Sequence, residues 1–214
     1  RMTGHPLRTS YGHTRFFSRA LPALIVAGVL AAFLGGCSQG PSWKLKNVSH
    51  LVHSLEFHLT SDQGKPVDAG DYRGDIVMLY FGYTNCPDTC PLTLAKLGRA
   101  VRALEPGVAR QVRILFVTVD PRRDTLARLA AYTRAFGPEF TGLRPTPSEL
   151  STVTQRYRVT YSYGKPDANG DYAVTHSSGV FIFDRRGKAR LLATFKTKAP
   201  AITHDLKALA SLNS

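Results

Sequence analysis

Two cysteines four residues apart, Cys86 and Cys90, sit in the run Tyr80-Phe81-Gly82-Tyr83-Thr84-Asn85-Cys86-Pro87-Asp88-Thr89-Cys90-Pro91. Thiols are soft donors and nucleophiles. On or near a first helical turn, a separation of four puts them on one face, within about 5 to 6 Å. That distance is compatible with a disulfide and equally with two sulfurs on one metal, so a structural disulfide, a redox couple and a metal site all remain open. The N–H groups and partial positive charge at a helix start should lower a thiol's pKa and favour the thiolate that exchange and metal binding both need.

The elements around the pair place it at a strand-to-helix junction. Ile76 to Tyr83 carries no polar alternation and reads as a strand covered on both faces. Leu94, Leu97, Val101 and Leu104 recur at helical spacing until Glu105-Pro106-Gly107 stops them, and Val112 to Val119 is a second buried strand. Such a crossover makes the strands parallel, ending on one edge, with Cys86 after the first and Asp120-Pro121 after the second. Ligands of open α/β sheets sit off that edge, so the two motifs should face each other. Asp120 reads either as a strand-end acid capping local backbone or, as we expect, as a carboxylate that orients the site.

Further on, a helix is expected from Asp124 (a candidate cap) to Phe136, and another from the capping box Thr146-Pro147-Ser148-Glu149 to about Tyr157. Tyr161 to Tyr172 encloses a Pro-, Gly-, Asn- and Asp-rich turn, an inserted hairpin. Gly179 to Phe183 and Ala189 to Phe195 flank Asp184-Arg185-Arg186-Gly187 as a second hairpin, and Ile202, Leu206, Leu209 and Leu212 give a closing helix. Upstream, Leu55, Phe57 and Leu59 alternate with polar residues as a half-buried strand extending the N-terminal side. The expected fold is α/β, a central mixed sheet flanked by helices, in one domain over residues 54–214.

Residues 1–36 are expected to be a leader. They hold Arg1, Arg8, Arg15 and Arg19, no acid, and an apolar run from Leu21 to Leu34 that is short for a membrane span. Leu34-Gly35-Gly36-Cys37 resembles a bacterial lipobox, which implies lipidation of Cys37, with an uncleaved membrane anchor as the alternative. Either way the domain is expected to be membrane-anchored on the extracytoplasmic side of a bacterial cell envelope, and the polar, weakly patterned stretch Gly40 to His53 makes 37–53 a linker. Without the leader's four arginines, 24 Lys and Arg face 15 acids, or +9. These cations are scattered without aromatic interleaving, which argues against nucleic acid and for an anionic membrane surface or simple solubility. Lipidation of Cys37 would leave Cys86 and Cys90 as a pair among the three cysteines.

Two thiolates suit Cu(I) or zinc, but structural zinc normally takes four protein ligands, whereas copper accepts fewer. The order of elements looks like a thioredoxin fold, although three residues, not the two usual in thioredoxins, separate the cysteines. The Phe81 to Pro91 stretch, then Val119-Asp120-Pro121-Arg122-Arg123-Asp124-Thr125, then His176-Ser177-Ser178, are similar in sequence and order to the Sco/SenC family of copper-binding assembly proteins. The resemblance implies that His176 is the third ligand beside Cys86 and Cys90, and that copper, as Cu(I) or Cu(II), is the cofactor. It also implies delivery to the copper centre of a cytochrome c oxidase subunit, with other copper chaperones or thiol reductants as further partners. Members often carry an acid just before the ligand histidine, and here that residue is Thr175. The change removes a negative charge near the metal and leaves the three donors intact. His50, His53 and His58 span a spacer and a strand edge and are not expected to form a second metal site. A different class of function uses the same sulfurs: a thiol-disulfide oxidoreductase that reduces an acceptor protein's cysteines. The two differ on His176, which copper retention needs and exchange does not.

Overall fold

Strand β4 (Ile76–Gly82) buries all seven of its residues, as its unbroken apolar run requires. The structure is a computed structural model and describes residues 41–212. On one side β4 pairs in parallel with β5 (Val112–Thr118), Ile76 against Val112 through Gly82 against Thr118, and on the other it runs antiparallel to β9 (Val180–Phe183). Adjacent residues of a strand point to opposite faces. The Tyr80 hydroxyl accordingly reaches Cys90 on helix α1 (Thr89–Arg102), while Phe81 meets the ring of Tyr157 at the end of a helix over Pro147–Tyr157. Helices therefore cover both faces. Leu94 and Leu97 of α1 are fully buried, each stabilising the fold by about 1.5–3 kcal/mol relative to exposure.

The remaining elements follow in chain order. Strand β1 (Lys46–Asn47) precedes β2 (His58–Ser61) and β3 (Pro66–Asp68), a single turn α2 (Pro106–Ala109) leads into β5, and α3 (Leu126–Arg134) is followed by β6 (Phe140–Arg144). Helix α4 is Pro147–Tyr157, β7 is Tyr161–Tyr163, β8 is Val174–His176, β10 is Ala189–Ala193 and α5 is Ala199–Leu212. The main sheet has the order β1-β10-β9-β4-β5-β6-β2-β3, and β7 and β8 pair only with each other. This is the expected mixed α/β sheet, with the expected hairpin beside it.

Three local expectations changed. Helix α3 is capped by Thr125, whose hydroxyl accepts from the Arg128 N–H at 3.2 Å, and not by Asp124, which is fully buried. Strand β6 was not anticipated: Phe-Thr-Gly-Leu-Arg has no alternation, and its Gly142 serves contact, since a Cβ there would lie 3.1 Å from the Leu129 Cβ. Residues 44–48, expected within a spacer, lie along the sheet: β1 pairs with β10, Leu45 and Val48 are buried, and the Asp205 carboxylate of α5 accepts from the Lys44 and Leu45 N–H groups. By contrast α4 begins with the expected capping box, Glu149 accepting from the Thr146 N–H at 2.7 Å and Thr146 from the Glu149 N–H at 3.4 Å, with Pro147 at the first helical position.

Candidate metal centre

Where β4 ends, the chain must pass over the first turn of α1, and Gly82 makes that possible. A Cβ at Gly82 would come 2.6 Å from Phe116 Cε2 and 2.9 Å from Cys90 Sγ, closer than carbon or sulfur tolerates. Cys90 lies beneath the strand end, fully buried, and Cys86 sits half-buried in the preceding loop. The Cys90 N–H points at Cys86 Sγ at 3.3 Å, and the Tyr80 hydroxyl donates to Cys90 Sγ at 3.5 Å. Both thiols are free.

His176, at the end of β8, brings its Nε2 to 3.4 Å from Cys90 Sγ across 86 residues of sequence. Its Nδ1 lies 2.9 Å from the Ser177 carbonyl oxygen. A carbonyl only accepts, so Nδ1 carries the proton and Nε2 turns its lone pair toward the sulfurs. The ring stands edge-on to Tyr83 and Tyr80, with centroids 5.8 and 6.1 Å away. The donor atoms of Cys86, Cys90 and His176 all lie within 4.8 Å of one another, and among the described residues no other group of His, Cys, Asp or Glu converges in this way. Bonds of about 2.3 Å to sulfur and 2.0 Å to nitrogen let one ion bridge a pair 3.4 Å apart. Two sulfurs and one imidazole are a donor set suited to copper. A cavity of about 330 Å³, lined by Tyr83, Cys86, Pro87, Thr175 and His176 among others, opens beside them.

Electrostatics here run against the sequence expectation for one thiol. Burial pushes Cys90 up to about 12, because removing a thiolate from water costs more than the Tyr80 hydroxyl and the Tyr83 backbone give back by hydrogen bonding. Burial also lowers the His176 pKa, which keeps the imidazole neutral and its lone pair available.

Asp120 is fully buried but forms no hydrogen bond to His176 or either sulfur; its oxygens accept from the Tyr172 hydroxyl at 2.7 Å and Arg123 Nε at 2.5 Å. The carboxylate that ties the two strand-end loops together is Asp124, which accepts from the Thr84 N–H (3.0 Å), the Thr84 hydroxyl (2.6 Å) and the Thr118 hydroxyl (2.6 Å). The motifs after β4 and β5 thus do face each other, through a residue expected only as a helix end. Tyr80 and Gly82 were also passed over, because inside an apolar run both read as core. His58 pairs with Asp68 on the exposed β2–β3 edge. Cys37 and the leader over 1–36 lie outside the described residues.

The SCO1/SenC family model matches residues 48–211. The chain belongs to the SCO1/SenC family. The protein SCO2 homolog, mitochondrial, of Bos taurus is 42% identical over 174 residues, covering 77% of this chain and 64% of the relative, and the Homo sapiens homolog is 39% identical over 178 residues, covering 77% and 66%. The chain thus spans just under two thirds of these relatives' length. Among solved structures, Bradyrhizobium japonicum ScoI with copper bound is 33% identical with a TM-score of 0.66, covering 73% of this chain and 98% of that one. Yeast Sco1 with copper bound is 28% identical with a TM-score of 0.65, covering 75% and 87%. This SCO1/SenC chain has the thioredoxin-like fold of those neighbours.

The expected bacterial-envelope location is overturned. The SCO2 relatives of Bos taurus and Homo sapiens and the SCO1 relative of Arabidopsis thaliana are mitochondrial by name.

Proposed function

We propose that this protein binds copper through Cys86, Cys90 and His176 and delivers it to a copper-carrying subunit of cytochrome c oxidase during assembly. The observation that carries the reading is the approach of His176 Nε2 to Cys90 Sγ at 3.4 Å, with the ring turned so that its lone pair faces the sulfur. A thiol-disulfide couple can work with its two sulfurs alone, whereas an imidazole lone pair brought to those sulfurs from 86 residues away adds a third donor suited to copper. Copper is cargo here, and a site open on the Cys86 side through the adjoining cavity allows it to leave. Residues 54–214 supply all three donors.

The test is copper titration of the reduced protein against a competing chelator, following the ultraviolet thiolate-to-metal bands. His176→Ala should weaken copper binding by more than the roughly 10- to 100-fold lost when an outer partner of a ligand is removed, while thiol-disulfide exchange stays nearly intact. Unchanged affinity in that variant removes the delivery reading.

One observation favours the oxidoreductase as a second reading: Cys86 is half-buried and receives the Cys90 N–H, while Cys90 is hidden behind it. In that reaction Cys86 thiolate attacks an acceptor disulfide and releases one acceptor thiolate. Cys90 then attacks the mixed disulfide, releasing the second. The acceptor gains two electrons and two protons as Cys86–Cys90 becomes a disulfide, and an external dithiol restores the starting state.

A further inference from the structure

The hairpin carrying His176 is not hydrogen-bonded into the main sheet, because β7 and β8 pair only with each other, Tyr161 opposite His176. Its position must therefore be set by other contacts, and these concentrate on the turn after β5. The Tyr172 hydroxyl donates to Asp120 Oδ1 at 2.7 Å, and the Arg123 guanidinium donates to Asp120 Oδ2 at 2.5 Å while lying 3.7 Å from the centre of the Tyr172 ring. Arg123 also stands 3.7 Å from the Asp171 carboxylate. From the other arm the Tyr163 hydroxyl donates to the Val119 carbonyl at 2.6 Å, and the Tyr163 ring packs edge-on to Tyr172 with centroids 5.7 Å apart. Each arm is thus held by one tyrosine to one short turn.

The geometry points to Asp120, Arg123 and Tyr172 as a latch that positions the hairpin and so sets how closely His176 approaches the two sulfurs. None of the three touches the donor atoms, so they are positioning residues, and their effect on copper rests on the copper-binding reading above. A buried carboxylate with both oxygens engaged, one of them by the Nε of a guanidinium that also stacks on the partner tyrosine, gives the hairpin one preferred seat. Loss of the Tyr172 hydroxyl removes one of the two bonds to Asp120 and leaves the ring to fill its place, so the fold survives while the seat loosens.

Copper affinity is to be measured by chelator competition for wild type, Tyr172→Phe, His176→Ala and the double variant. Tyr172→Phe should raise the copper Kd about tenfold, the range seen when groups behind a ligand are altered, and should change nothing further once His176 is alanine. Arg123→Lys, which keeps the charge and loses the flat stack, should act in the same direction. In the metal-free protein, the His176 ring signals, shifted by the Tyr80 and Tyr83 edges, should move toward solvent-exposed values in Tyr172→Phe. An equal loss of affinity in the His176→Ala background, or unmoved ring signals, overturns the latch. An unchanged Kd in His176→Ala alone overturns the copper reading, and the metal-free ring signals still decide the latch.

Discussion

Gly82→Ala tests whether the strand end and the thiol beneath it are as tightly fitted as the distances imply. The added methyl would sit 2.6 Å from Phe116 Cε2 and 2.9 Å from Cys90 Sγ, against the roughly 3.5–4.0 Å at which carbon contacts are favourable. The shortfall is close to 1 Å on two sides. Phe116 is fully buried on β5 and Cys90 fully buried on α1, so neither can swing into solvent to relieve it. Overpacking of this kind costs about 1–3 kcal/mol. Gly82 does not adopt a positive φ, so no backbone strain adds to this, and restricting the unfolded chain returns about 0.4–1 kcal/mol. A net loss of about 1–2 kcal/mol is expected, together with displacement of Cys90 Sγ and weaker copper binding. Gly107→Ala is the control: nothing lies within 4 Å of its added Cβ, and it should be neutral or slightly stabilising. Denaturant unfolding of both metal-free variants, with copper competition on each, reads the two effects separately. Equal midpoints for Gly82→Ala and wild type, with an unchanged copper Kd, would refute the packing argument.

Copper affinity should rise with pH. Cys90, held near 12 by burial, is a protonated thiol at neutral pH, so the metal must displace its proton and apparent affinity gains at least about tenfold per pH unit between about pH 6 and about pH 8. At lower pH, protonation of His176 removes its lone pair and steepens the loss, although its lowered pKa delays this; a pH-independent Kd in chelator competition contradicts both statements. Asp124→Ala should cost at least about 3 kcal/mol, because it strands the Thr84 N–H and the hydroxyls of Thr84 and Thr118, and a denaturant-measured loss below about 1 kcal/mol would show that water replaces it freely.

What was legible in the sequence was whatever depends on neighbours along the chain. The run from Ile76 to Tyr83 has no polar break, and β4 is buried throughout; Thr146 and Glu149 are three apart, and the capping box forms. The cysteine pair likewise advertises itself by spacing. His176 has no spacing to advertise it, since 86 residues separate it from Cys90, and only the family motif singled it out. The Cys90 pKa departs from the expectation for the same reason: the helix start is a local feature, but the burial that overrides it comes from a tertiary fit in which Cys90 Sγ would lie 2.9 Å from a Cβ on Gly82 of the sheet. Asp124 and Thr125 are adjacent acceptors before one helix, and only the position of Thr84 decides which of them caps α3 and which turns inward.

The unequal burial of the two cysteines constrains both proposed activities together. A partner approaching through the cavity meets Cys86 and His176, which line it, while Cys90 lies behind with no exposed surface. On the exchange reading the attacking thiolate is therefore Cys86, and Cys90 acts only once a mixed disulfide has formed, when attack needs no contact with solvent. On the delivery reading the same order makes Cys86 and His176 the bonds an acceptor's donors replace first, leaving Cys90 as the last link. That bond is broken most readily by reprotonation, which the high thiol pKa favours. Replacing Cys90 with a buried residue that binds no metal would thus abolish copper retention yet leave Cys86 able to form a mixed disulfide that is not resolved. Trapping that adduct while copper binding is lost distinguishes the inner sulfur's role from the outer one's.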